Sequence, residues 1–141
     1  MNERKISVLG IFVGGIVDVL GTSIVGALVL IPLAMSMHSV QAANSGELTK
    51  LIATDPLLFS ASFLIGSAFS ILGGVVAATM AKANFVVNGA LSAWLCVLTG
   101  VLSLMSGAAQ IPVLLEVADF AMSPALGALG GYIVSRRKIS A

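Results

Sequence analysis

Three acidic residues sit where acids are expensive. Asp18 is the single charge in an apolar run from Ile6 to Met37. It lies twelve residues past Ile6, roughly 18 Å along a helix axis at ~1.5 Å per residue, which is near the midplane of a ~30 Å hydrocarbon core. An ionised carboxylate there costs several kcal/mol, so Asp18 is expected to be neutral, paired or bound to a cation. No Lys or Arg lies inside any of the apolar runs to pair with it. Asp119 follows Pro112 by seven residues, ~10 Å inward from the opposite side, a depth similar to that of Asp18. Glu116 falls one turn further out on the same helix face. Carboxylates gathered at one depth can share a proton or hold a monovalent cation. The competing expectations are structural. A last span beginning at Val117 leaves Glu116 and Asp119 among headgroups. Independently, Asp18 bonds a backbone carbonyl or serine as a protonated packing residue, or pairs with a base on a partner protein.

Other chemistry has little to build on. Met35-Ser36-Met37-His38 combines soft ligands suited to Cu(I), but methionine in lipid and histidine at headgroups is the favoured explanation by composition. His38 is the lone histidine, so no histidine metal cluster and no Ser-His triad is expected. Cys96 is the single cysteine and reads as a small packing residue. The glycines lack the Lys-Ser/Thr ending of a phosphate-binding loop. No metal, cofactor or enzymatic activity is expected. A net charge of +1 argues against a nucleic-acid partner.

The elements that must position these acids follow from composition. Apolar residues make up 58% of the 141-residue chain and charged residues only 9%, against roughly 25% charged in soluble domains. Mean hydropathy is +1.10. So little charge cannot cover a water-soluble surface, and the expected partner is the lipid bilayer. A span needs ~20 helical residues, and lipid leaves backbone polar groups no partner outside the helix. The expected fold is therefore an all-α membrane protein, one domain over residues 1–141. Its four transmembrane helices run at about 6–35, 56–81, 85–106 and 112–135, with an outer loop at about 36–55. Thr54-Asp55-Pro56 reads as an N-cap with proline at the first helical position, and Pro112 starts the last span likewise. Pro32 is a place for the first helix to stop or bend. Asn84 and Asn88 mark a tight connection, and Pro124 is expected to kink the last helix.

Every Lys and Arg except Lys50 falls before span one, between spans two and three, or after span four. With four spans these places share one side, so the basic-residue rule puts both termini in the cytoplasm of an inner-membrane protein. Val40-Gln41-Ala42 resembles a signal cleavage site, but the preceding run is about twice the usual 7–15 residues and holds Asp18, so no cleavage is expected.

The glycines carry a faint internal duplication. Gly10 and Gly21 share the spacing of Gly89 and Gly100, and Gly73-Gly74 matches Gly130-Gly131. The expected arrangement is two helical hairpins in parallel; the alternative is chance, since glycine is common in membrane helices. Small residues recur every fourth position: Gly10, Gly14, Asp18, Thr22 and Gly26 in span one, Gly66, Ser70 and Gly74 in span two. Others are Ser92, Cys96 and Gly100 in span three, and Ser123, Gly127 and Gly131 in span four. Helices in lipid associate by close approach at such residues. Gly10, Gly14, Gly73, Gly74, Gly130 and Gly131 are the expected packing positions, and stripes left over favour a homo-oligomer or a partner membrane protein.

The segment Val17-Asp18-Val19-Leu20-Gly21-Thr22-Ser23 resembles the first helix of the small multidrug resistance transporters, and Trp94 lies in span three as a family tryptophan does. The resemblance implies four spans, a working dimer and an embedded helix-one acid that alternates between protons and cationic drugs. This chain departs from the pattern in carrying aspartate where the family has glutamate, a longer outer loop, a glycine pair in span two, and Asn88-Gly89. Function is thus expected to be a small proton- or cation-coupled transporter or channel using Asp18. The alternative is a non-catalytic membrane subunit or scaffold. A lytic pore of holin type is disfavoured by the long spans and strong charge bias.

Overall fold

A computed structural model describes residues 6–38, 45–105 and 113–139. Among these, every regular element is a helix: α1 (Val8–His38), α2 (Ser45–Thr54), α3 (Pro56–Met80), α4 (Phe85–Ser92), α5 (Trp94–Met105) and α6 (Val113–Ile139). Three stretches are long and apolar enough to cross a membrane: Val8–Met37, Pro56–Met80 and Phe85–Leu102, the last running through α4 and into α5. The burial pattern agrees with a lipid environment. Buried positions are mostly small, such as Ala34, Ala77, Ala78, Ala81 and Ala93, while Leu9, Phe12, Leu20, Ile24 and Leu28 of α1 face outward. A water-soluble bundle would invert that order; in lipid the interior is set by close approach and the outside needs no polarity.

Local chemistry explains the helix limits. Asp55 caps α3: its carboxylate accepts from the Leu57 and Leu58 amides at 2.9 and 3.0 Å, and Pro56 takes the first helical position, where no N–H is missed. The α3–α4 turn closes through Asn84, whose left-handed φ of 52° is one that asparagine tolerates. Pro32 does not end α1, which runs on to His38, and α6 continues on both sides of Pro124.

Two features differ from the sequence expectation. The stretch read as an outer loop contains α2, ten residues whose Leu48, Leu51 and Ile52 pack on Leu30, Ala34 and Leu58 at the ends of α1 and α3. Span three is not one helix but two, broken at Ala93. No proline or glycine stands at the break. The Ala93 amide turns to the Ala90 carbonyl, three residues back, and the Gly89 carbonyl that a continuous helix would give it accepts the Ser92 hydroxyl instead, at 2.7 Å. A serine that bonds back onto its own helix competes with the ladder and bends it.

Helix α3 lies at the centre, packed against α1 on one side and α6 and α4 on the other; α6 packs on α4, α3 and α5. Among the described residues, α1 and α6 form no closely packed pair.

Candidate functional site

Asp18 is set on the α1 face that meets α3. One turn toward the α3–α4 turn, the backbones of α1 and α3 touch: a methyl group on Gly14 would lie 2.5 Å from the Gly73 carbonyl oxygen, and one on Gly73 would lie 2.6 Å from that of Gly14. Only residues without a side chain allow this approach. On the other side of Asp18, the Phe69 ring of α3 lies directly on Gly21. Between these contacts Asp18 is only 3% exposed. Its two carboxyl oxygens accept from the Ser70 hydroxyl at 3.1 and 3.2 Å. Ser70 is itself buried. A hydroxyl carries one proton, so it divides that proton between the two oxygens.

The carboxyl and hydroxyl together offer hard oxygen donors, which suit a proton or a monovalent cation better than a soft transition metal. Among the described residues no group of three or more His, Cys, Asp or Glu side chains stands close enough to hold a metal ion. The break at Ala93 comes near the same level. Ser92 and Leu95, on either side of it, face Gly14 and Gly15 of α1, where added methyl groups would lie 3.0 Å from the Ser92 Cβ and 2.9 Å from Leu95.

The other residues singled out by sequence fall as follows. Gly10 meets the Ala77 carbonyl, 2.9 Å from where its methyl would be. Gly74 meets Gly127 of α6, Gly130 meets Ile71 of α3, and Gly131 meets Phe85 at the start of α4. Glu116 and Asp119 belong to the first turns of α6, and their side chains lie outside the described residues. The Cys96 thiol is 3.5 Å from the Ser123 hydroxyl, joining α5 to α6.

Sequence reasoning missed two roles. Ser70 stood on a stripe of small residues and read as packing; its bond to Asp18 depends on the register of α1 against α3. Asn88, fully buried, ties three backbone groups together: it accepts from the Ser7 amide at 2.8 Å and donates to the Ala83 and Asn84 carbonyls at 3.1 and 3.0 Å. It thereby staples the start of α1 to the α3–α4 turn. A buried amide beside a turn was visible in sequence; its long-range partner was not.

No protein-family model, curated protein or solved structure matches this chain.

Proposed function

We propose that this is a four-span inner-membrane protein, both termini cytoplasmic, that binds and releases a proton or monovalent cation at Asp18 as a small transporter or channel. The observation that carries this reading is the burial of the Asp18 carboxyl between α1 and α3 with Ser70 as its hydrogen-bond donor. A carboxyl group held in a low-dielectric interior changes charge only together with a positive partner, which links its state to ion binding. Helix discontinuities in membrane proteins gather at ion and substrate sites, and the break at Ala93 lies beside the same stretch of α1. The fourth span is α6, with its outer turns carrying Glu116 and Asp119 as further binding groups. The two parallel hairpins, α1 with α3 and α4–α5 with α6, form the working unit, and the chain acts as a homo-oligomer.

The test is flux in proteoliposomes loaded with a pH-sensitive dye and driven by imposed Na⁺, K⁺ or pH gradients. The native chain is expected to move protons or one of these cations. Asp18→Asn abolishes that flux while resistance to alkaline extraction from the membrane is unchanged. Asp18→Glu keeps part of it, and Ser70→Ala shifts the concentration at half-maximal rate. Native flux that survives in Asp18→Asn overturns the reading. Absence of any flux, together with a membrane protein that co-purifies stoichiometrically and tolerates Asp18→Asn, establishes the subunit reading instead.

A further inference from the structure

The Asp18 carboxyl is closed off differently on its two sides. Toward the α3–α4 turn the closure is backbone. Gly14 meets Gly73 there, and one turn further a methyl group on Gly10 would lie 2.9 Å from the Ala77 carbonyl oxygen. Ala77, Ala78 and Ala81 continue that end and are almost fully buried. Helix backbone has no rotamers, so nothing smaller than a shift of α1 against α3 opens this side.

Toward α2 the closure is one side chain. Phe69 immediately precedes Ser70 on α3, and its ring lies directly on Gly21, three residues past Asp18 on α1, or roughly 4.5 Å along the axis. Only a glycine leaves room for the ring to sit there. Beyond it the facing stripes stay small and carry hydroxyls: Thr22 and Gly26 follow Asp18 on α1, and Gly66 and Ser62 continue from Ser70 on α3, all at four-residue intervals. Thr22, Gly66 and Ser62 are partly exposed, as is Phe69 itself. Hydroxyl groups offer water and small cations partners that an all-alkyl seam lacks. A helical side chain leans over the turn N-terminal to its own Cα, and for Phe69 that turn holds Gly66. A methyl group added to Gly66 would touch nothing within 4 Å, so the ring has room on its own helix to change rotamer and leave Gly21.

We infer that Phe69 is the gate to Asp18. Seated on Gly21, its ring shuts the carboxyl off from the α2 end, the outer end in the four-span reading. Turned toward Gly66, it joins the carboxyl to the hydroxyl-bearing stripe. The inference rests on the reading of Asp18 as an ion-binding group, and adds the direction from which the ion arrives and the side chain that admits it. Phe69 holds no ion; it acts through access alone.

Chemical labelling of the carboxyl measures that access directly. The full chain is placed in lipid nanodiscs, where both membrane faces are wet. Asp18 is labelled either with a water-soluble carbodiimide plus glycinamide or with lipid-soluble dicyclohexylcarbodiimide, and the modified peptide is quantified by mass spectrometry. Phe69→Ala is expected to speed the water-soluble labelling about ten-fold, which corresponds to ~1.4 kcal/mol off the cost of opening, and to change the lipid-soluble labelling little. Gly21→Ala keeps the ring but denies it its seat, and is expected to speed labelling likewise; it decides if Phe69→Ala does not fold. Phe12→Ala removes a ring of the same kind from α1, where it packs on Trp94, and keeps the native rate. Native-rate labelling in both Phe69→Ala and Gly21→Ala overturns the inference. So does an equal gain in Phe12→Ala, the mark of general loosening. So does native labelling that is faster with the lipid-soluble reagent and indifferent to Phe69, the mark of sideways entry between helices. Flux in proteoliposomes judges the reading beneath separately: native flux that survives Asp18→Asn removes the ion role of Asp18, whereas the gate stands or falls on labelling alone.

Discussion

At the end of the bundle that carries the α3–α4 turn, helices meet backbone to backbone; at the α2 end they meet through leucines. Gly127 of α6 stands where three helices converge: methyl groups on Gly74 of α3 or Gly89 of α4 would each collide with its carbonyl. Gly14 and Gly73 do the same for α1 and α3. Toward α2 the same small-residue stripes continue, but the space opens. A methyl group on Gly66 would meet nothing within 4 Å, and one on Gly26 only Leu30, 4.0 Å away in its own helix. Contact there is made by Leu30, Ala34 and Leu58 with side chains of α2. Backbone contacts fix position, because no rotamer can yield. Side-chain contacts can rearrange, and regions of lower contact density open at lower free energy. Asp18 and Ser70 lie on the boundary, just past the last backbone-to-backbone contact between α1 and α3 at Gly14 and Gly73, with the Phe69 ring on Gly21 beyond them. Such a bundle is expected to separate more readily on the α2 side of the carboxyl than at the glycine end.

The largest effect is expected where three backbones meet. Gly127→Val places a branched side chain against the Gly89 carbonyl and the Ala90 backbone. Neither can move without shifting α4 as a whole, so the loss is about 3 kcal/mol, at the top of the usual overpacking range. Unfolding of the reconstituted chain in a denaturing detergent titration measures it. A loss below ~1 kcal/mol would show that the glycine end gives as readily as the other, and the contrast would fail.

Next comes Asn88→Ala. It strands the Ser7 amide and the Ala83 and Asn84 carbonyls. A buried polar group left without its partner costs about 1–3 kcal/mol, and water at the membrane surface reclaims part of it, so ~2 kcal/mol is expected in the same titration. Asn88→Asp retains the acceptor for Ser7 but sets a carboxyl oxygen against the Ala83 and Asn84 carbonyls, and is expected to cost at least as much as Asn88→Ala. Hydrogen exchange sharpens the result: the start of α1 is expected to exchange faster in Asn88→Ala, while α2 is unaffected.

What could be read from sequence was whatever depends on neighbours along the chain. Apolar length marked the long helices, and Asp55-Pro56 marked the start of α3, because capping is chemistry within one turn. The break at Ala93 was hidden for the converse reason. Serine inside a helix is ordinary, and Ser92 turns to Gly89 in a stretch where α6 presses Gly127 onto the same carbonyl. Helix α2 was passed over since ten residues cannot span and its mean apolarity is diluted by Glu47 and Lys50, although Leu48, Leu51 and Ile52 have helical spacing. Asp18 stood out by rarity alone, but Ser70 as its partner needed the register between helices 52 residues apart.

The smallest effect is the most discriminating. Gly66→Ala sits on the same α3 stripe of small residues as Gly74, two turns away. The structure sets the two positions apart. At Gly74 a methyl group runs into Gly127, whereas at Gly66 it enters open space. Alanine also restricts the unfolded chain and favours the helix by up to ~1 kcal/mol in water, a gain reduced in lipid, where helices persist before they associate. Gly66→Ala is therefore expected to leave stability unchanged or raise it by about 0.5 kcal/mol, with Gly74→Ala destabilising in the same detergent titration. If the opening beside Gly66 is the room into which α1 and α3 part, the added methyl group should slow ion flux through Asp18 even as it stabilises the fold. Stability and flux rising together in Gly66→Ala would show that the α2 end is merely loose, with no part in reaching the carboxyl.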